Sequence, residues 1–479
     1  MLDGVADLQP AYSRTDVFFV SSRLDPLPNV AIEAALRGIP VVCFDGATGM
    51  AEVLSTDPLA GRGVVPHMDA AAAARVIAGF ADDADSLAEA GAATRRLAEA
   101  AFDMDRYVTQ VDEVGSAAVR IMRQREQDFE TIRDDALFDE RVYLDPSDPP
   151  TTRDEAIIGF LARWTAVGLS RRPTLNPPFR RPCAGFHPQI YAHENSGRYD
   201  TATVNPFADF LRLGKPNGPW RSQLITPTTL PKAPATRPPL RPALHAHFYY
   251  PELAADFLRK LTSNRGPCDL LLSTNTVAKA DILRTATAGY DRGKVLIRVV
   301  PNRGRDLGPL LTGFAEEVSS GYDLIGHLHG KRTLRTDGGS LGERWREFLW
   351  QHLVGDRHPM LDVILDRFAA DDSLGLVFAA DPHLSDWDTN LEMATDLAKT
   401  MGIDGSLPPF FDFPIGSMFW ARPEALVPLL ELRLDWSDYP EEPVPEDGTI
   451  LHALERLLPF AVRRAGYDFA TAHVPGVTW

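Results

Sequence analysis

The pattern of apolar and polar positions divides the chain into three regions. In residues 1–130, short apolar runs such as VFFV and VVCF alternate with stretches whose apolar residues recur every three or four positions, as in amphipathic helices. Residues 131–242 are rich in Pro, and residues 243–479 return to alternating strands and helices. This pattern predicts an α/β fold: a partial Rossmann-like unit, a Pro-rich linker with a small helical insert, and a doubly wound domain on a mostly parallel sheet.

Residues 16–44 predict two buried strands joined by a sharp turn and a short helix. Asn29 can cap this helix, Asp25 lies before it, and Glu33 lies one turn inside it. Backbone N–H groups at a helix start attract phosphate, and a carboxylate on either side can hold sugar hydroxyls. The arrangement predicts a nucleotide-sugar site, although an ordinary βαβ unit with surface acids would show the same pattern.

These residues resemble the E-x7-E donor-binding element of retaining GT-B glycosyltransferases (glycosyl transferases group 1), with Asp replacing the first Glu. The resemblance implies that the first acid contacts the donor sugar, the second holds the ribose, and the amides between them bind the diphosphate. The implied donor-binding residues are Asp25, Leu27, Pro28, Asn29 and Glu33. Pro28 has no N–H to offer. A GT-B enzyme also needs an N-terminal Rossmann domain, so we expect residues 1–130 to be a fragment that cannot catalyse transfer alone.

In the third region, polar residues follow the predicted strands at the points where those strands end. Asn302, Arg303, Arg305 and Asp306 follow VLIRVV. The strand YDLIGHLH carries two histidines, and a lysine and an arginine come directly after it: His327, His329, Lys331 and Arg332. Glu446 and Asp447 open a late helix. Because α/β sheets bind ligands at the carboxyl ends of their strands, we expect these groups to share one site.

Each group has a chemical task in this hypothesis. Arg303, Arg305, Lys331 and Arg332 can clamp a diphosphate without a metal ion. Asp447 can accept the proton of an acceptor hydroxyl, with Glu446 in support, or it can simply cap the late helix. The two histidines alternate along a strand and point the same way, so both can contact one ligand. Two histidines without a nearby carboxylate do not favour a metal site.

Residues 243–467 resemble the rhamnan synthesis protein F family. The blocks that carry the resemblance are LHAHFYYPEL, VVPNRGRDLGPLL, YDLIGHLHGKR, PIGSMFWARPEAL and EDGTILHALERLLP, in this order. The family is associated with rhamnose-containing surface polysaccharides and is similar, more distantly, to GT-A glycosyltransferases. That comparison puts Glu446 and Asp447 where catalytic-base acids lie. HLHGK stands where a metal-binding D-x-D would be, so a divalent cofactor is possible but not favoured, and Lys331 and the arginines are expected to supply the positive charge.

The composition of the chain limits the kinds of partner and the cellular locations that we expect for it. A net charge of −17 over 479 residues argues against a nucleic-acid partner, because phosphate backbones need a basic surface. Three widely spaced cysteines predict buried thiols in a reducing compartment. The chain has no apolar run long enough for a bilayer span and no signal-peptide pattern, so we expect a cytoplasmic protein that can associate with the inner face of the plasma membrane. The basic run at Arg171, Arg172, Arg180 and Arg181 could bind an anionic substrate or lipid headgroups, or form a solvated surface.

Together these observations predict a glycosyltransferase fragment of the hexosyltransferase type that acts in cell-surface polysaccharide biosynthesis, for example of lipopolysaccharide or cell-wall glycans. The expected donor is a nucleotide sugar, with rhamnose as a candidate sugar, and the expected acceptor is a glycan or a lipid-linked glycan. The alternative is a non-catalytic glycan-binding or scaffolding module in a polysaccharide-assembly protein.

Overall fold

The computed structural model describes residues 7–149, 151–170, 179–198, 203–228, 240–330 and 340–479. The chain divides into two compact units, Met1–Arg120 and Ile121–Trp479. The described part of the Pro-rich region belongs to the second unit, and the predicted domain boundaries at residues 130 and 242 stay predictions.

The first unit contains a three-stranded parallel sheet in the order β1 (Phe18–Val20), β2 (Val41–Phe44) and β3 (Val64–Val65). The central strand is buried on both faces, and small alanine-rich helices cover it. Its helices are α1 (Gln9–Tyr12), α2 (Asn29–Leu36), α3 (Gly49–Leu54), α4 (Ala70–Asp82), α5 (Ala84–Ala101) and the first part of α6 (Met104–Arg133). The predicted Rossmann-like pattern of buried parallel strands and helices is present, with strands shorter than the sequence indicates.

The second unit begins with a helical body, which lies where the sequence predicted a small helical insert. Its helices are α7 (Glu140–Tyr143), α8 (Arg153–Ser170), α9 (Pro188–Glu194) and α10 (Pro206–Arg212). Phe138, Phe160 and Phe207 meet at ring-centroid distances of 5.8–6.4 Å in its core. Asp128 is 1% exposed. It accepts hydrogen bonds from the Arg212 guanidinium at 2.7 Å and from the backbone N–H of Asn205 at 2.8 Å. Residues 229–239 of the predicted linker lie outside the described residues.

An eight-stranded mixed sheet forms the centre of the second unit. Its order is β4-β11-β9-β10-β8-β5-β6-β7, and β10 runs antiparallel to both neighbours while the other pairs are parallel. The strands are β4 (Gln223–Ile225), β5 (Pro242–His247), β6 (Asp269–Thr274), β7 (Val295–Val299), β8 (Leu324–His329), β9 (Leu374–Ala379), β10 (Phe419–Ala421) and β11 (Asp468–Ala472).

Helices cover both faces of this sheet and enclose two separate hydrophobic cores. They are α11 (Ala254–Leu261), α12 (Val277–Thr287), α13 (Ala315–Ser320), α14 (Ser340–Leu353), α15 (Met360–Ala370), α16 (Leu391–Thr400), α17 (Val427–Leu430) and α18 (Ile450–Arg464). The predicted α/β, doubly wound class is confirmed. The segment between β7 and β8 forms a π-helical turn, Pro309–Gly313, followed by α13.

The register of the central strands brings several polar side chains onto one face of the sheet. Successive residues of a strand point to opposite faces, so Leu244 and Ala246 of β5 enter one core while His245 and His247 face the other side. His245 lies opposite His327 of β8, and His247 lies opposite both His329 of β8 and Ser273 of β6. This register fixes the geometry of the site described below.

Two general expectations concern the thiols and the membrane. Cys43, Cys183 and Cys268 are free and buried, and burial raises the pKa of Cys43 to about 11 and those of Cys183 and Cys268 to about 12. The expectation of buried thiols is therefore confirmed. Among the helices of the described ranges, none is long and apolar enough to cross a lipid bilayer.

Candidate functional site

A cavity of about 1290 Å³ lies in the second unit, beyond the carboxyl ends of β5, β7 and β8. The strand ends and the loop before α18 supply its polar wall. The predicted site residues that line it are Asn302, Arg305, Asp306, His329, Glu446 and Asp447. Each of the three sequence clusters that were expected to share one site therefore contributes at least one residue to this cavity.

Arg305 holds the loop that carries Glu446 and Asp447. Its backbone is in the left-handed region, with φ of 46°, and its guanidinium donates to the carbonyl oxygens of Val444 at 3.0 Å and Pro445 at 3.1 Å. Its other terminal nitrogen, Nη1, lies 3.3 Å from Nε2 of His452. Both terminal nitrogens of its guanidinium therefore already have partners within the protein.

The other cations predicted for the diphosphate clamp are placed differently. Arg303 does not line the cavity: its Nε donates to the carbonyl oxygen of Tyr439 at 2.8 Å, and its guanidinium lies 3.7 Å from Glu441. Lys331 and Arg332 lie outside the described residues. The same holds for Arg171 and Arg172 of the basic run, while Arg180 and Arg181 are buried against protein partners and form no solvated surface.

The described wall of the cavity is rich in carboxylates. Asp306, Asp388, Glu442, Glu446, Asp447 and Glu455 outnumber the guanidinium groups of Arg305 and Arg456. Within the described ranges, no three His, Cys, Asp or Glu side chains are grouped closely enough to hold a metal ion. These carboxylates oppose the binding of an anion such as a diphosphate.

Asp447 is tied to a neighbouring loop. Its carboxylate accepts hydrogen bonds from the Thr389 hydroxyl and the Asn390 side-chain amide, both at 2.7 Å. Partial burial acts to raise its pKa, but these bonds and the charge of Arg456 lower the pKa of Asp447 to about 2. A carboxylate with so low a pKa is a weak base. Its assignment as the catalytic base, with Glu446 in support, stays a prediction.

The alternative that Asp447 caps the late helix is wrong. The residue at the N-cap of α18 is Thr449, whose side chain makes no capping hydrogen bond. Asp447 bonds instead to the segment that precedes α16, which is distant in sequence. Its structural contribution is to join two loops at the rim of the cavity.

We expect Asp447→Asn to change the acid sensitivity of the second unit. A carboxylate whose pKa is depressed on folding adds stability above its ordinary value of 3.8, and that contribution disappears as the pH falls towards 2. The variant should therefore be less stable than the parent at pH 6, and the difference should shrink by pH 3. Urea midpoints at the two pH values measure this. An equal difference in stability between parent and variant at pH 6 and pH 3 would contradict the hydrogen bonds of Asp447 to Thr389 and Asn390.

Three acids of the cavity wall, Asp388, Glu442 and Glu455, were not predicted from the sequence. Asp388 accepts a hydrogen bond from Arg456 at 2.6 Å, and burial raises the pKa of Asp388. Glu455 accepts the backbone N–H groups of Gly416, at 2.5 Å, and Ser417, at 3.1 Å. Asp388 lies in the run SDWDTN before α16, and Glu455 lies inside α18. Neither residue follows a predicted strand end, which was the pattern used to find the other site residues.

The two histidines of β8 have different positions. His329 lines the cavity and its Nε2 donates to the carbonyl oxygen of Gly416 at 2.8 Å. His327 is 0% exposed and lies behind Asp306, with 3.3 Å between its Nε2 and the Asp306 carboxylate. The expectation that both contact one ligand therefore fits His329 but not His327, whose ring is enclosed by protein.

Tyr249, Tyr250 and Trp345 line the cavity and are at least partly exposed, so their rings are available to a sugar, whereas Phe413 of the same wall is buried. Trp350, Phe419 and Trp420 are buried in the core and offer no ring face to a sugar. Apolar faces of sugars pack well on aromatic rings that a cavity leaves accessible.

In the first unit, the predicted donor-binding residues lie around the start of α2. Asn29 is the first residue of this helix and does not cap it, because Pro28 occupies the N-cap. The turn is fixed by the Asp25 amide, which donates to Ala47 at 2.9 Å. Asp25, Leu27 and Asn29 are at least partly exposed, and so is Glu33, which lies beside Tyr12: burial and this carboxylate raise the pKa of Tyr12. These residues are accessible, and their roles in donor binding stay predictions.

Comparisons with known proteins agree with both resemblances. A family model described as rhamnan synthesis protein F matches residues 210–467, more than half of the chain, and one described as glycosyl transferases group 1 matches residues 2–97. Both family predictions are confirmed.

Individual relatives are more distant. An uncharacterized protein WxcX from each of two strains of Xanthomonas campestris pv. campestris is 28% identical over 228 residues, which is 47% of this chain and 32% of the relative. The chain thus spans about a third of the length of the curated relatives it matches. Among solved structures, the mannosyltransferase PcManGT from Pyrobaculum calidifontis, in complex with GDP-Man and Mn²⁺, is 14% identical with a TM-score of 0.22, covering 49% of this chain and 76% of that one.

Proposed function

We propose that this chain, which belongs to the rhamnan synthesis protein F family, is a glycosyltransferase of polysaccharide assembly whose second unit holds the transfer site. The observation that carries this proposal is the meeting of Asn302, Arg305, Asp306 and His329 around one cavity at the carboxyl ends of parallel strands. Open α/β sheets bind their ligands at that edge. The group 1 glycosyltransferase region in the first unit supports the same class of activity.

The size and lining of the cavity fit two ligands. A volume of about 1290 Å³ exceeds the range of roughly 300–1,000 Å³ that holds a drug-sized ligand. Such a space accommodates a nucleotide sugar together with the end of a glycan. Tyr249, Tyr250 and Trp345 offer ring faces to the sugars, and the carboxylates offer acceptors to their hydroxyl groups.

The diphosphate is the most highly charged part of the donor, so its binding depends most on positive charge at the site. Of the two arginines that line the cavity, Arg305 and Arg456, Arg305 is the one in the loop that follows β7, and the carboxylates around it oppose an anion. In this proposal, Lys331 and Arg332, which directly follow β8 and Gly330, add the positive charge that a metal would otherwise supply. A divalent ion carried in with the diphosphate is the competing source of that charge.

A titration of the full chain with UDP, GDP and dTDP, followed by calorimetry, tests this dependence. We expect at least one of them to bind in the presence of EDTA, and Arg305→Ala to weaken that binding at least tenfold, about 1.4 kcal/mol. Arg284→Ala is the matched control, because Arg284 is exposed and pairs only locally with Asp281. Binding that appears only with Mg²⁺ or Mn²⁺ would replace the metal-free proposal, and no binding of any nucleotide would contradict the donor site itself.

The sugar and the acceptor are finer parts of the proposal. Membership of the rhamnan synthesis protein F family supports rhamnose as the sugar, and a glycan or lipid-linked glycan at the inner face of the plasma membrane as the acceptor. In the first unit, Asp25 and Glu33 at the start of α2 would contact a second nucleotide sugar. We do not expect residues 1–130 to transfer sugar by themselves.

A non-catalytic glycan-binding module is the second candidate function. The low pKa of Asp447, about 2, favours it, because the carboxylate in the expected base position is a weak base. Donor hydrolysis separates the two candidates: a transferase releases nucleoside diphosphate slowly even in water, whereas a pure binding module releases none.

A further inference from the structure

Five side chains form a continuous chain of hydrogen bonds that begins and ends at the cavity. We call it the histidine relay: His247, Ser273, His245, His327 and Asp306. His247 Nδ1 lies 3.0 Å from the Ser273 hydroxyl, which lies 3.0 Å from His245 Nε2. His245 Nδ1 lies 2.9 Å from His327 Nδ1, and His327 Nε2 lies 3.3 Å from the Asp306 carboxylate. His247 and Asp306 both line the cavity, while the three groups between them are 0% exposed.

The rings meet in an orientation suited to hydrogen bonding. The planes of His245 and His327 differ by 13°, and their centroids are 5.0 Å apart. With 2.9 Å between the two Nδ1 atoms, the rings meet edge to edge, so a proton on one nitrogen points at the lone pair of the other. The strand register supplies this geometry, since His245 and His327 are direct neighbours on adjacent parallel strands.

The chemistry of the groups fixes the direction of every bond in the relay. An ionised Asp306 can only accept, so His327 donates from Nε2. With its hydrogen on Nε2, His327 accepts at Nδ1, which makes His245 a donor at Nδ1 and an acceptor at Nε2. The Ser273 hydroxyl therefore donates to His245 and accepts from Nδ1 of His247. The remaining nitrogen of His247, Nε2, carries a lone pair.

We propose that the histidine relay carries the acceptor's hydroxyl proton from His247 to Asp306 during sugar transfer. The inference rests on the proposed function. The acceptor's O–H bond breaks as its oxygen bonds to the anomeric carbon, and the bond from that carbon to the diphosphate breaks. His247 Nε2 takes the proton, and each hydrogen of the relay moves to the next group: His247 to Ser273, Ser273 to His245, His245 to His327, and His327 to Asp306. Asp306 becomes neutral and later releases the proton to the departing diphosphate or to water.

A concerted shift of hydrogens suits His245 and His247, because burial disfavours the charged form of both imidazoles. Burial, followed by the neighbouring His327, lowers the pKa of His245 well below its ordinary value. Burial also lowers the pKa of His247 to about 4, although the charge of Asp306 opposes the shift. Both imidazoles are therefore neutral at pH 7, and a shift along the relay moves a proton between the cavity walls without leaving a charged ring in the core. Asp447, with its low pKa, is not needed as the base.

Imidazole nitrogen NMR of the full chain tests the relay without any activity. We expect His247 and His245 to carry hydrogen on Nδ1 and His327 to carry it on Nε2, at pH 7. In Ser273→Ala the signals of His245 and His247 should shift, whereas Thr274→Val should leave them in place: Thr274 is a buried hydroxyl on the same strand that bonds instead to Phe248, at 2.7 Å. Hydrogen on Nε2 of His245, or a charged His245, would overturn the relay.

Single-turnover transfer, with a nucleotide sugar that the chain hydrolyses, tests the use of the relay in catalysis. We expect Ser273→Ala to slow transfer about a hundredfold, the lower limit for general acid–base contributions, with donor affinity unchanged. Ser273→Thr, which keeps the hydroxyl, should retain most of the rate. The parent should show a solvent deuterium isotope effect with a curved proton inventory, and Ser273→Ala should lose the curvature.

These outcomes separate the relay from the proposed function. A parent-like rate and isotope effect in Ser273→Ala would overturn the relay while leaving the transferase intact. A parent that binds donor but turns nothing over would overturn the transferase and, with it, the relay's catalytic use, even if the NMR finds the expected hydrogen positions.

Discussion

Asp306→Asn should slow sugar transfer by at least about a hundredfold, the largest activity effect that we expect from a single substitution. Asn matches Asp in size, and its carbonyl oxygen can still accept the hydrogen of His327 Nε2. It cannot take up a proton or balance positive charge at the cavity wall. The variant should therefore keep the fold and the nucleotide affinity in EDTA while losing the chemical step.

The rate is measured as labelled sugar transferred per minute by the full chain, with nucleoside diphosphate release as a second readout. Asp281→Asn is the matched control, because Asp281 lies on α12 with its side chain 65% exposed and only Arg284 beside it. If Asp306→Asn transfers sugar at close to the rate of this control, Asp306 has no part in the chemistry.

Arg456→Met should cause the largest loss of stability. Arg456, 7% exposed at its side chain, donates to Asp388 at 2.6 Å and to the Asp386 carbonyl at 2.9 Å, and it lies 4.0 Å from Asp447. Its loss leaves carboxylates of the cavity wall facing one another without a counter-charge. We expect the free energy of unfolding to fall by about 3 kcal/mol, at the low end for a broken buried ion pair because Asp388 is partly exposed.

Tryptophan fluorescence in urea measures this change cleanly, since all eight tryptophans lie beyond residue 120 and so report on the second unit alone. Arg284→Met, on the exposed face of α12, should change the free energy by less than about 0.5 kcal/mol. A midpoint for Arg456→Met equal to that of Arg284→Met would show that the guanidinium does not hold the wall together.

The hydrophobic pattern predicted the central strands well because each is a buried run with clear limits. LHAH, DLLLST and LIGHLH became β5, β6 and β8 with small changes at their ends. β4 and β11 were not predicted: three residues in a Pro-rich stretch, and DFATA near the end of the chain, gain their strand geometry from pairing with each other and with β9.

The Pro-rich region shows the limit of composition as a guide. Density of Pro indicated a linker, yet the aromatic residues between the Pro clusters form a core of their own, centred on Phe160 and Phe207. Pro at the first turns of α9 and α10 starts these helices and does not interrupt them.

The location of the site was predictable and its internal contacts were not. Polar residues after strand ends meet at one edge of a parallel sheet whatever the loops do, which is why Asn302, Arg305 and Asp306 lie together. The partner of Asp447 is Asn390, 57 positions away, and no spacing rule connects them. His245 and Ser273 alternate with core residues on β5 and β6, so the period of two places them on one face, but their pairing depends on a register that the sequence does not reveal.

The central claim is that the cavity of the second unit transfers sugar, and one measurement tests it most directly. The full chain is incubated with UDP-, GDP- and dTDP-activated hexoses and rhamnose, with and without rhamnose oligosaccharides, and both nucleoside diphosphate release and labelled glycan are followed. We predict that one donor is hydrolysed slowly in water and faster with acceptor, that labelled sugar appears in the glycan, and that Asp306→Asn slows the appearance of labelled glycan by at least about a hundredfold. Tight binding of nucleotide sugar or glycan with no release of nucleoside diphosphate from any donor would contradict the claim and favour a glycan-binding module.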